Sequence, residues 1–181
     1  MKKMMYLILL YSSVYANAVI QGPVELKDET YQKLTVHGNA TLHNVTVDNL
    51  VVNGTLTADT VVAKKVSVHG PVYGKALTAK ILEATGAVQL IQSNIEQVSA
   101  SGSVSIRGLK TKNLFLFAVP QAPLYAVRAE NIIIKAAAPI ELKVGDACYI
   151  DTIRFVDAAG EVYVMKDRSY VGDIINGSLH R

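Results

Sequence analysis

The residues best equipped for chemistry in this 181-residue chain are few and far apart. Its one cysteine, Cys148, stands in "ACYI", with no histidine nearby in sequence to draw off its proton. A thiol nucleophile needs such a neighbour, so Cys148 reads as a small buried hydrophobe. Alone, it cannot form an internal disulfide. His37 and His69 lie 32 residues apart, and His43 lies 16 residues before Asp59. The acids of the central region are Asp48, Asp59, Glu83 and Glu96, with no pairing of the kind sugar hydrolysis requires. No phosphate-cradling loop, Ser-His-Asp order, H-E-x-x-H motif or calcium-binding G-G-x-G-x-D repeat is present. The expectation is therefore no catalytic residues, no metal site and no cofactor, hence no enzyme.

The elements that carry these residues follow from a repeat. From Leu34 the chain divides into sixteen-residue segments: LTVHGNATLHNVTVDN, LVVNGTLTADTVVAKK, VSVHGPVYGKALTAKI, LEATGAVQLIQSNIEQ and VSASGSVSIRGLKTKN. The fifth position is glycine in all five: Gly38, Gly54, Gly70, Gly86 and Gly102. Apolar residues fall at positions 1, 3, 7 and 9, then 12 and 14. Alternation at period two means strands, and the step from 9 to 12 breaks the phase, as a corner would. Sixteen residues are too few for two helices per repeat. A chain that alternates, turns and returns in register is coiling, with its strands stacked in parallel about 4.8 Å apart. The expected fold is all-β: a single-stranded parallel β-helix, or β-solenoid, of about sixteen residues per turn. Each fifth-position glycine then marks a corner where a Cβ would crowd the next turn.

In that register His37 and His69 share an outward column two turns apart, about 9.6 Å, with Asn53 between them. Zinc ligands must all lie about 2 Å from one ion, so this pair is not a site. His43 and Asp59 are a surface ion pair, which contributes little. The Asn-x-Ser/Thr sites at Asn39, Asn44, Asn53 and Asn176 read as small polar residues in outward columns rather than as glycosylation sites.

Lys2 and Lys3, the short apolar run "MMYLILLYSSVYA" and the small residues Ala16 and Ala18 form an export signal, 1–18. The run is shorter than the roughly 20 residues of a spanning helix, so cleavage is expected, with a mature start near Asn17 or Val19. The mature chain would then have no transmembrane helix and would be periplasmic, surface-bound or extracellular. The net charge of +3 is mild, and no Lys/Arg cluster with interleaved aromatics supports nucleic-acid binding.

The organisation expected downstream of the signal is an N-terminal cap at 19–33, a coil at 34–144 and a C-terminal cap at 145–181. The repeat degrades after residue 113: "VPQAP" brings two prolines, and "IIIKAAAPIELKV" reads as a last irregular turn. "DTIRFVDAAGEVYVM" reads as a β-hairpin turning at Asp157–Gly160. In "LFLFAVPQ", Leu114 and Leu116 point inward, leaving Phe115 and Phe117, with Val119 beyond, on the outside. Exposed paired aromatics mark an interaction patch unless something covers them. The hairpin at 153–165 is expected to fold back over this face.

The stretch "NGTLTADTVVAKKVSVHGPVYGKALTAKILEATGAVQ", with its G-x-L/V-x-A-x-x-V cadence and the V-x-G-x-V-x-G of Val68–Gly74, resembles the bactofilins. The likeness covers roughly 34–113. It implies a bacterial β-helix that polymerises without nucleotide, here in an exported form. The reading is a non-enzymatic structural scaffold that self-associates through its coil ends. The alternative is a surface binding module that recognises a glycan or a surface protein, as autotransporter-like β-solenoids would suggest.

Overall fold

The computed structural model describes residues 16–117, 121–165 and 168–180; the proposed export signal, up to residue 15, and Val119 lie outside them. The elements in the first half are β1 (Ala16–Gln21), β2 (Val24–Lys27), β3 (Thr30–His37), β4 (Ala40–His43), β5 (Thr46–Val52), β6 (Leu56–Asp59), β7 (Val62–Val68), β8 (Val72–Lys75) and β9 (Thr78–Ala84). The second half holds β10 (Val88–Ser101), β11 (Val104–Phe117), β12 (Gln121–Tyr125), β13 (Arg128–Lys135), β14 (Ile140–Val144), β15 (Tyr149–Val156), β16 (Gly160–Val164), β17 (Tyr170–Ile175) and β18 (Gly177–His180). No helix occurs among them. Every pairing is parallel and joins one turn to the next, β3 to β5 to β7 to β9 on one side and β2 to β4 to β6 to β8 on another. The fold is a parallel β-solenoid.

The six apolar positions of the repeat are the core. Leu34, Val36, Ala40, Leu42, Val45 and Val47 are all buried, and so are Leu50, Val52, Leu56, Ala58, Val61 and Ala63 one turn later. Like residues stack on like, so each inward column is a continuous apolar ladder. Two hydroxyls enter it, each satisfied locally. Ser93 Oγ donates to the Ile91 carbonyl at 3.2 Å and accepts from the Leu77 amide at 3.3 Å. Thr111 Oγ1 reaches the Glu96 and Asn113 carbonyls, each at 3.1 Å. A buried hydroxyl without such partners would be costly.

Each turn has three corners. At the first, the glycines stack backbone on backbone: a Cβ on Gly54 would lie 2.4 Å from the Gly38 carbonyl oxygen, and one on Gly70 would lie 2.4 Å from that of Gly54. The column begins one turn earlier than the sequence reading placed it, at Gly22. At the second corner the chain passes through left-handed backbone at Asp28, Asn44, Thr60, Ala76 and Gln92, with φ between 50° and 58°, and at Gly108. This conformation keeps the ladder continuous: the Asp28, Asn44, Thr60 and Ala76 amides each donate to a carbonyl of the following turn at 2.9–3.0 Å. The third corner is soft. Long strands run through it, and the ladder skips one pair there, at Asp48 opposite Lys64 for example.

The second corner carries a stability prediction. Thr60 is β-branched and exposed, a poor choice for φ of 58°. Below it, Asn44 donates from Nδ2 to Asp28 Oδ1 at 2.7 Å. Thr60→Asn places a residue that tolerates left-handed backbone on top of that side-chain ladder. It is expected to stabilise the coil by about 1 kcal/mol, read as a higher denaturant midpoint with unchanged slope.

Two expectations about the organisation of the chain are corrected. The segment 151–165 is not a hairpin: β15 pairs with β13 and β17, and β16 pairs with β14 and β18, all in parallel. Nor are 19–33 and 145–181 caps set apart from a coil at 34–144. Coiling runs from β1, paired with β3, through to β18. Only the turn length changes. Leu114 pairs with Ile132, eighteen residues on, then Ile132 with Ile153 and Ile153 with Ile174, twenty-one on each time. Longer turns need larger filling. The inward column at repeat position three runs Val36, Val52, Val68, Ala84, Ala100, Leu116, Ile134 and finally Phe155. The Phe155 ring fills the first corner, under Gly160 and Gly177, where a Cβ on either glycine would overlap it.

Candidate functional site

Outward side chains of a β-helix form rows along its axis. Most rows here are mixed and polar, and they place the chemistry-bearing residues apart. His43 Nδ1 lies 4.0 Å from Asp59, and His37 Nδ1 lies 2.9 Å from the Asn53 amide nitrogen. Lys65 pairs with Glu83 at 2.9 Å, and Ser67 Oγ donates to the same carboxylate at 3.1 Å. The lysine holds the Glu83 carboxyl below its usual range. No cluster of three or more His, Cys, Asp or Glu able to hold a metal occurs among the described residues. No helix of the described residues is long and apolar enough to cross a membrane.

Cys148 is buried in the second-corner column one turn after Val127, and Sγ lies 3.4 Å from the Leu124 carbonyl oxygen. Its amide donates to Ser169 Oγ at 3.0 Å, and that hydroxyl donates to the Gly145 carbonyl at 2.6 Å. Burial pushes the thiol's pKa up. The unfolded chain then loses its proton first, so stability falls as pH rises above the ordinary thiol range. In the native protein at pH 8, DTNB is expected to leave Cys148 unmodified, and one thiol per chain should react in denaturant.

The Phe115 and Phe117 patch is not covered by the 153–165 segment, which lies within the coil. Phe115 stacks between Ser99 and Ile133 and is half-buried. Phe117 stacks between Ser101 and Lys135 and is 39% exposed. It edges a shallow hollow of about 190 Å³ with Glu83, Thr85 and Ser99.

The larger concavity was not anticipated. A furrow of about 740 Å³ runs along the coil beside the third corner. Its inner wall is the row Thr78, Asn94, Lys110, Arg128 and Tyr149, continued by Tyr170. Its outer wall is the corner row Lys80, Glu96, Lys112, Glu130 and Asp151. The inner wall stacks: Arg128 Cζ lies 5.6 Å from the Tyr149 ring centroid, and the Tyr149 and Tyr170 centroids are 4.8 Å apart, 23° from parallel. Guanidinium on aromatic face, then aromatic on aromatic, fixes these three long side chains in a ladder. On the outer wall, Lys112 Nζ meets Glu96 Oε1 at 2.8 Å, which lowers the carboxyl and raises the ammonium pKa. The only sequence signal for the inner wall was the interval of 21 between Arg128, Tyr149 and Tyr170, which a period of sixteen hides.

Comparison with protein-family models, with curated proteins and with solved structures returned no match for this chain.

Proposed function

We propose that this chain is an exported, non-enzymatic structural rod that self-associates end to end, as its resemblance to bactofilins implies. The observation that carries the reading is the state of the terminal strands. Among the described residues, β1 and β2 are each paired along one edge only, and so are β17 and β18. Such edges are templates for another strand. The first corner narrows to the single residue Asn176 between β17 and β18, comparable with the two residues, Gly22 and Pro23, between β1 and β2. The inward residues Ile174 and Leu179 are only partly buried at that end. A head-to-tail contact of this kind is heterologous and propagates.

Light scattering and electron microscopy of the purified full chain over a concentration series test the proposal. The expected result is linear oligomers that lengthen with concentration and shorten in Leu179→Lys, which sets a charge in the terminal β18. A monomer at every concentration overturns it, as does assembly unaffected by Leu179→Lys.

A further inference from the structure

The furrow carries an inference that does not rest on end-to-end assembly. Lys110 and Arg128 are adjacent on the inner wall, about one strand spacing apart, and neither has an acid within ion-pair distance among the described residues. Several charges elsewhere in the coil pair between turns, Asp48 with Lys64, Glu83 with Lys65, Glu96 with Lys112 and Lys135 with Asp157, although Glu141 stacks on Glu161 with no cation beside them among the described residues. Two like charges stacked without a counter-charge repel each other. They point instead to an anion from outside.

The rest of the furrow narrows the choice of anion. The Arg128 guanidinium carbon lies 5.6 Å from the Tyr149 ring centroid, and a guanidinium there can receive a carboxylate through two parallel N–H donors. Beyond it, Tyr149 and Tyr170 are about half-exposed and present hydroxyls that both donate and accept. Across the furrow, Glu130 and Asp151 form no ion pair among the described residues and can only accept hydrogen bonds. An acidic peptide would meet repulsion from that wall. A chain with carboxylates on one edge and hydroxyl donors on the other satisfies both walls. Lys110 and Arg128, about one strand spacing apart, are close enough to share a single carboxylate of such a chain.

We infer that the furrow between the Lys110–Arg128–Tyr149–Tyr170 row and the Glu130–Asp151 row binds an extended uronic-acid glycan lying along the coil axis, with a carboxylate between Lys110 and Arg128.

Titration calorimetry with the full chain at physiological salt, below the concentration at which it oligomerises, tests this with three probes: polygalacturonate, neutral dextran and poly-L-glutamate. Polygalacturonate is expected to bind, with the other two at least tenfold weaker. Lys110→Gln with Arg128→Gln should lower polygalacturonate affinity tenfold or more while leaving the melting temperature in place, because both side chains point outward. Lys65→Gln with Lys75→Gln removes the same charge from other faces and should change affinity less than twofold. Equal binding of poly-L-glutamate, equal loss in the two double variants, or no binding of polygalacturonate overturns the assignment.

Discussion

Gly54→Ala is expected to destabilise the coil by about 3 kcal/mol or more, far beyond what a surface substitution does. The new methyl would sit 2.4 Å from the carbonyl oxygen of Gly38, a backbone atom that no side-chain rotation can move aside. It would also be held at φ of +154°, which L side chains rarely adopt. Relief requires pushing two turns apart, which breaks ladder hydrogen bonds on both sides of the corner. Gly22→Ala separates the two contributions. Gly22 heads the same column at φ of +92°, but a Cβ there meets nothing within 4 Å. Only the backbone strain remains, about 1–2 kcal/mol. Urea unfolding of both variants reads the difference. Equal losses would mean that the stack relaxes at no cost, and that packing does not explain the recurrence of glycine.

Phe155→Ala is expected to cost about 3–5 kcal/mol, the range for emptying an aromatic site in a packed interior. The ring is 4% exposed and occupies the corner under Gly160 and Gly177. Little can collapse into the space, because both neighbours are glycines. The same geometry predicts coupling. Gly160→Ala alone would place its methyl 2.0 Å from the ring and is itself strongly destabilising. With Phe155→Leu the methyl gains room, so the double variant should be more stable than the sum of the single losses predicts. A double-mutant cycle from denaturant midpoints measures this, and simple additivity would rule out the contact.

These two sites also mark where the sequence was legible and where it was not. Leu34, Val36, Ala40, Leu42, Val45 and Val47 announce the six inward positions because burial on one face forces period two, and stacking forces like onto like. The corner glycines are legible because backbone contact permits one residue type. The left-handed corner escaped because its requirement is conformational: Asp28, Asn44, Thr60, Ala76 and Gln92 share no side-chain property. The hairpin reading of 151–165 failed for a related reason. Alternation on either side of "DAAG" describes an antiparallel turn and a parallel corner equally well. What separates them is the partner twenty-one residues away, and Ile132, Ile153 and Ile174 show that interval only once the period is allowed to change. The furrow was hidden by the same lengthening, since its aromatic wall exists only when Arg128, Tyr149 and Tyr170 fall into one row.

The change in turn length has a mechanical meaning. Each turn here touches only its immediate neighbours, so a chain pulled from its two ends can shed turns one at a time rather than rupture as a block. A released early turn frees sixteen residues, about 55 Å of extended chain, whereas a released late turn frees twenty-one, about 70 Å. Stretched singly, the molecule should therefore lengthen in short steps from its early turns and long steps from its late ones, with one intermediate step of eighteen residues between them, and the order of those sizes would report which end gives way first.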